Sequence, residues 1–175
     1  MTVSEVCRKA KENEQAISFA AESDMNQMLS VAARALRERA EDIIAENRKD
    51  VAACTRGAQF VDRLMLDKKR IDGIAAGLEK LIELKCPVGE ILEERTLYNG
   101  LLLRRVRVPL GVLGIIYEAR PNVTADAIGL ALKSGNAVVL RGSKDAICSN
   151  RIITGVIKEA IRCAGYNPEF IQLIE

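Results

Sequence analysis

No histidine occurs anywhere in the sequence. Every Cys/His zinc pattern and every histidine-based triad or dyad is therefore excluded within these residues. Aromatic residues make up only 3% and the formal net charge is only +2, so neither the stacking platform nor the basic footprint of a nucleic-acid binder is present. No apolar run approaches the roughly 20 residues needed to span a bilayer. Met1–Ala10 lacks the apolar core of a secretory leader, so a cytoplasmic location without a membrane partner is expected. The five cysteines lie widely scattered without paired spacing, which fits reduced thiols and no metal site. There is no repeat and no low-complexity segment. A G-x-G-x-x-G dinucleotide fingerprint is also missing, because Gly111 and Gly114 fall inside a strand-like run.

What remains is ordinary material for one sizeable core: 175 residues, 49% of them apolar. The first third has helical periodicity, with Val3, Val6 and Ala10 followed by Ile17 and Ala20. Asp24 is the expected N-cap of a second helix whose stripe runs from Met25 through Leu36 to Ile43 and Ile44. A third helix is predicted over about Lys68 to Lys85, closed by Pro87. Ile91 to Leu97 and Leu101 to Val108 flank Tyr98-Asn99-Gly100, and Asn-Gly is a strong hairpin signal because both residues tolerate positive φ. In that register Glu94 faces Arg105.

The stretch from Val108 to Asn150 organises the rest. Gly111 to Tyr117 reads as a short strand buried on both faces, Val123 to Ser134 as a helix, and Ala137 to Leu140 as a second buried strand. Such a pair implies a right-handed βαβ crossover whose ligands bind beyond the carboxyl ends of the strands. A long helix from about Asp145 to Ala164, ended by Gly165, leads to a third parallel strand over Phe170 to Ile174. The fold class is thus α/β, with N-terminal helices, a β-hairpin and a partial Rossmann-like βαβαβ sheet. Three strands ending at a possible edge are half of a doubly wound domain, so further C-terminal sequence is expected.

The strand ends carry Glu118, Arg120 and Asn122 in one loop and Arg141, Gly142, Ser143 and Lys144 in the other. These residues suit a nucleotide-sized anionic ligand. Each also has a plainer reading: Asn122 as a helix cap, Arg120 as a salt bridge with Glu118 or Asp126, and Arg141 and Lys144 as surface cations beside a glycine turn. Cys148 sits near a helix start, where a thiol can be activated. Its isoleucine neighbours favour packing instead.

YEARPNVT followed by GNAVVLRGSK resembles the gamma-glutamyl phosphate reductases, or glutamate-5-semialdehyde dehydrogenases, a divergent branch of the aldehyde dehydrogenase superfamily. The resemblance covers essentially the whole chain. It implies that Asn122 donates to the developing oxyanion of an acyl substrate and that Arg141, Gly142, Ser143 and Lys144 hold the cofactor; Glu118 and Arg120 are candidates for the substrate on their own chemistry, because a guanidinium matches a phosphate or carboxylate in two-point fashion. Lys144 stands where ordinary aldehyde dehydrogenases have a glutamate that accepts from the ribose hydroxyls. That reversal implies NADPH/NADP rather than NADH, since an ammonium attracts a 2′-phosphate. The implied activity is reduction of L-glutamyl 5-phosphate to glutamate 5-semialdehyde with release of phosphate, the second step of proline biosynthesis. A catalytically inactive nucleotide-binding or assembly module of the same superfamily is the alternative. Residues 1–89 would be the helical part of the cofactor domain, 90–108 an oligomerisation arm and 109–175 the cofactor-binding part. The family's nucleophilic cysteine would lie beyond Glu175, so these residues alone would not turn over. A homo-oligomer and association with glutamate 5-kinase are further expectations.

Overall fold

The computed structural model describes residues 1–175, all of the chain. Six helices come first: α1 (Val3–Glu12), α2 (Gln15–Ser18), α3 (Glu22–Glu38), α4 (Ala40–Ala53), α5 (Ala58–Leu64) and α6 (Lys68–Glu83). The hairpin follows as β1 (Ile91–Thr96) and β2 (Leu102–Val106). Then come β3 (Val112–Ile116), α7 (Pro121–Lys133), β4 (Ala137–Arg141), a 3-10 turn at Lys144–Ala146, α8 (Ile147–Cys163) and β5 (Ile171–Leu173).

Strands β3, β4 and β5 form a parallel sheet in that order, with Ile116 opposite Arg141 and Leu140 opposite Leu173. Side-chain alternation divides the central strand between two layers. Val139 packs with Val6 and Ala10 of α1, whereas Val138 and Leu140 join the main core formed with α7, α8 and the helices behind them. Ile128, Leu132, Ile157 and Phe170 are each at most 1% exposed in that core. Burial of side chains this size stabilises by about 1.5–3 kcal/mol each. The same core takes in Met25, Leu29 and Leu36 of α3 and Ile71 and Leu78 of α6, so the N-terminal helices and the sheet share one interior.

Several sequence expectations need correction. Strand β3 is not buried on both faces: it is an edge strand, and Ile116 is 85% exposed. Asp24 does not cap α3; Ala21 holds that position without a side-chain bond. The Asp24 carboxylate instead accepts from the Tyr166 hydroxyl at 3.2 Å, a tertiary partner 142 residues away. The long second helix is broken at Arg39, which places Ile43 and Ile44 on α4. In the hairpin only Gly100 has positive φ, at 84°, and Asn99 does not. The turn closes through Gly100 N–H to the Leu97 carbonyl. The turn sets Leu97 opposite Leu101, so Glu94 faces Arg104 and Glu93 faces Arg105, and a bulge between Ile91 and Glu93 then brings Ile91 opposite Val106. Ala58–Leu64, for which the sequence suggested no separate helix, form α5 behind Gly57 as N-cap.

Candidate active site at the carboxyl ends of the parallel strands

Both βα connections leave the sheet at its carboxyl edge. After β3, the chain turns through Glu118 and Arg120 into α7. Arg120 is the N-cap, with no side-chain capping bond, and Pro121 is the first helical residue. Proline suits that position because its missing N–H would have no partner there. Asn122 therefore lies inside the first turn, and the reading of it as a cap is corrected. One N–H of its amide donates to Asp126 Oδ2 at 3.1 Å, one helical turn on. The second N–H is left over. Arg120 Nε pairs with Glu118 Oε1 at 2.8 Å, which settles its partner as Glu118 and not Asp126.

Arg120, Asn122 and Asp126 line one wall of an open cleft of about 560 Å³. The opposite wall comes from the end of α5 and the start of α6, through Asp62, Arg63, Arg70 and Gly73. Asp67 caps α6 by accepting from the Arg70 N–H at 2.7 Å, which fixes that wall. Arg70 is itself occupied, donating to Asp62 Oδ1 at 2.7 Å and to the Met65 carbonyl at 2.8 Å. Burial pushes the Asp126 carboxyl above its ordinary range, against the lowering effect of the Asn122 hydrogen bond.

After β4 the arrangement differs. Arg141 ends the strand and donates to the Gly142 carbonyl at 3.1 Å. A Cβ on Gly142 would stand 2.3 Å from Asn150 Nδ2 and 3.0 Å from the Tyr117 ring, so this position has room only for glycine. The Ser143 hydroxyl is spent within its own turn, accepting from the Asp145 N–H and meeting the Asp145 carboxylate at 3.0 Å. Lys144 is exposed and makes no hydrogen bond or ion pair. The four predicted cofactor residues are thus consecutive at the end of β4, next to the β3 loop, but they do not line the cleft that holds Asn122.

Sequence reasoning missed the polar groups beneath these loops. The buried Asp50 carboxylate of α4 accepts from the Cys148 and Ser149 N–H groups at 3.1 and 2.8 Å and from the Ser149 hydroxyl. Asn47, one turn earlier, donates to the Leu64 carbonyl and Ser149 Oγ and accepts from the Leu66 N–H. A signal existed: Asn47 and Asp50 continue the Ile43 stripe at helical spacing, where apolar residues are expected. A second string runs from the Tyr117 hydroxyl through Thr124 Oγ1 to Asn150 Oδ1, at 2.8 and 2.9 Å. Thr124 must donate to the amide oxygen, so Tyr117 donates to Thr124. Asn150 Nδ2, fully buried against Gly142, has no partner. The Cys148 thiol is pushed up by burial and then by Asp50, in keeping with its packing role. No cluster of His, Cys, Asp or Glu could hold a metal ion, and no helix is long and apolar enough to cross a membrane.

These elements match known proteins along their full extent. The aldehyde dehydrogenase family profile matches residues 1–175. The chain is 50% identical over 171 residues to a gamma-glutamyl phosphate reductase of Moorella thermoacetica, covering 96% of this chain and 41% of that protein. It superposes on the crystal structure of gamma-glutamyl phosphate reductase from Thermotoga maritima with a TM-score of 0.95 and 40% identity, covering 98% of this chain and 42% of the other. The Saccharomyces cerevisiae enzyme of that name gives a TM-score of 0.92 at 29% identity, covering 100% of this chain and 47% of its own. The chain therefore spans less than half the length of the relatives it matches. It belongs to the aldehyde dehydrogenase family, and within that family it is similar to the gamma-glutamyl phosphate reductases.

Proposed function

We propose that this chain is the N-terminal, cofactor-binding portion of an enzyme that reduces L-glutamyl 5-phosphate to L-glutamate 5-semialdehyde with release of phosphate. The observation that carries the reading is Asn122: a neutral amide, fixed through one N–H by Asp126, with its other N–H free at the edge of an open cleft. Attack on an acyl carbonyl puts negative charge on oxygen, and a donor already held in place stabilises that charge without changing protonation state. The amino end of α7, which no side chain caps, adds a favourable field for the same charge.

The residues after β4 fit a nicotinamide cofactor. Arg141 and Lys144 keep donors free of protein carboxylates, and Gly142 lets Asn150 and the Tyr117 ring pack directly beneath the turn that presents them. A bound cofactor supplies the hydride. The chain's part is to grip the phosphorylated adenosine with Lys144 and Arg141 and to leave Asn122 aimed at the acyl oxygen. The free ammonium of Lys144 supports NADPH, whose 2′-phosphate it would attract. Supply of a nucleophile is not assigned to these residues, and reduction of substrate by the 175 residues alone is not expected.

Two substitutions test the reading in a reductase that carries these residues on the full length of its relatives. Asn122→Ala lowers kcat about 100-fold, roughly 3 kcal/mol of transition-state stabilisation, with NADPH affinity unchanged; unaltered turnover would remove Asn122 from the chemistry. Lys144→Glu narrows or reverses the preference for NADPH over NADH, measured as the ratio of kcat/KM values. A preference that survives the charge reversal would contradict the assignment.

A further inference from the structure

The charges around the cleft can be paired off, and two are left over. Arg70 is bound to Asp62, and Arg120 to Glu118. Arg63, at the end of α5, has no carboxylate partner and no hydrogen bond, although it borders the cleft. Across from it Asp126, half-buried on α7, is the cleft carboxylate with no cation: its one bond is the neutral amide of Asn122. An unpaired acid and an unpaired base on facing walls are the complement of a zwitterion. Arg63 is exposed and free to turn into the cleft, whereas a half-buried carboxylate without a counter-charge is unfavourable, and the upward push on Asp126 has burial as its largest cause.

The space between the walls has its own explanation. Helix α6 turns Gly73 toward the cleft, and a Cβ there would meet nothing within 4 Å. Gly77, one turn on, would place a Cβ 3.9 Å from Asp126 Oδ1. Glycine inside a helix is unfavourable by about 0.5–1 kcal/mol relative to alanine. Here no backbone angle requires it at either position, because neither has positive φ. The glycines keep α6 bare where it faces the carboxylate.

We infer that this cleft is the recognition site for the α-amino-acid head group of the substrate, with Asp126 accepting from the α-ammonium and Arg63 holding the α-carboxylate. The inference rests on the proposed reductase reading and deepens it, because it names which end of an acyl-phosphate amino acid the chain selects. Guanidinium binds carboxylate in two-point fashion, and a carboxylate partner discriminates an ammonium from a neutral or absent group. The same Asp126 orients Asn122, so the amino group that identifies the substrate and the amide that meets its acyl oxygen are tied to one side chain.

Binding to the 175-residue chain tests this without turnover. L-Glutamate, glutarate and 4-aminobutyrate are titrated by NMR, with NADPH titrated separately by fluorescence. L-Glutamate is expected to bind saturably and at least tenfold more tightly than glutarate, which lacks the ammonium, and than 4-aminobutyrate, which lacks the α-carboxylate. Asp126→Asn keeps an acceptor for Asn122 but removes the charge; it abolishes the advantage over glutarate. Arg63→Ala abolishes the advantage over 4-aminobutyrate. Gly73→Leu fills the open space without touching a charge and blocks L-glutamate, and its folding is checked by an unchanged NADPH titration. Equal binding of the three acids, or an L-glutamate affinity untouched by Asp126→Asn and Gly73→Leu, overturns the inference. NADPH binding judges the cofactor reading independently: a chain that binds NADPH but does not prefer L-glutamate sinks this proposal alone.

Discussion

Helices α7 and α8 begin at the same edge of the sheet, and their amino ends are finished in opposite ways. At α8 the protein supplies its own anion: Asp50, carried in from α4, accepts from the first free N–H groups and is only 6% exposed. At α7 the cap is Arg120, whose side chain makes no capping bond and turns to Glu118 instead. A helix amino end concentrates unpaired N–H groups and partial positive charge, and it is satisfied either by the chain or by something that binds. In the proposed reading, the uncapped end of α7 is the one left for the acyl oxygen of a substrate, while the end of α8 is already filled by Asp50.

The largest effect should come from emptying the filled end. Asp50→Ala strands the Cys148 and Ser149 donors and the Ser149 hydroxyl in the interior, a loss of about 3 kcal/mol of stability. Urea unfolding would show it as a lower midpoint with an unchanged slope. Filling the empty end should have the opposite sign. Arg120→Asp installs a preferred N-cap residue and stabilises by about 1 kcal/mol, while giving up an exposed ion pair of little value. It should also weaken L-glutamate binding, by occupying the end that the ligand needs; a destabilised Arg120→Asp protein would mean that α7 is already satisfied.

The smallest effect lies away from both ends and measures what charge pairing outside them contributes. Glu169, ahead of β5, meets Lys9 of α1 at 2.7 Å, Lys158 at 3.0 Å and Arg162 at 3.1 Å. Burial alone would raise its carboxyl, yet Lys9, Lys158 and Gln172 bring it from an ordinary 4.5 to about 2. A carboxyl that is lower in the folded state contributes stability above the unfolded value and loses it as pH falls through the folded one. The contribution is therefore complete above about pH 4.5 and fades toward pH 2. The side chain is only 24% exposed, but Lys9 and Arg162, at 40% and 51%, let solvent screen the cluster, so the gain is on the order of 1 kcal/mol. Glu169→Gln should flatten the stability profile in that window and leave neutral pH nearly unchanged.

The parts of the fold that could be read from the sequence are those written locally. The apolar runs around Val112–Ile116 and Ala137–Arg141, the periodicity of α8 and the Gly165 stop at φ 91° are all present as expected. Asn99-Gly100 marked the hairpin, but its register is set by the three-residue turn, which places Leu97 opposite Leu101 and therefore Glu94 opposite Arg104, while the bulge displaces only Ile91. The site was legible only along the strand ends. Asn122 and Arg120 could be found because they follow a strand. Arg63 and Asp126 could not, since their common feature is the lack of an oppositely charged partner in three dimensions. Asp50 and Ser149 are 99 residues apart, and only tertiary packing brings a polar stripe on α4 to the start of α8.

The hairpin stands outside all of this, with every residue of β1 and β2 exposed and its partners all within a few residues of the turn. That locality sets a timescale. A ribbon of this kind closes in about 1–10 μs, whereas β3 and β4 must wait for the intervening helix to form and dock before they can align. The arm can therefore zip, fray and zip again without consulting the core. Amide exchange along it should record its own opening equilibrium, set by a bulge, a glycine turn and a few arginine–glutamate pairs, and not the global stability of the body that carries it.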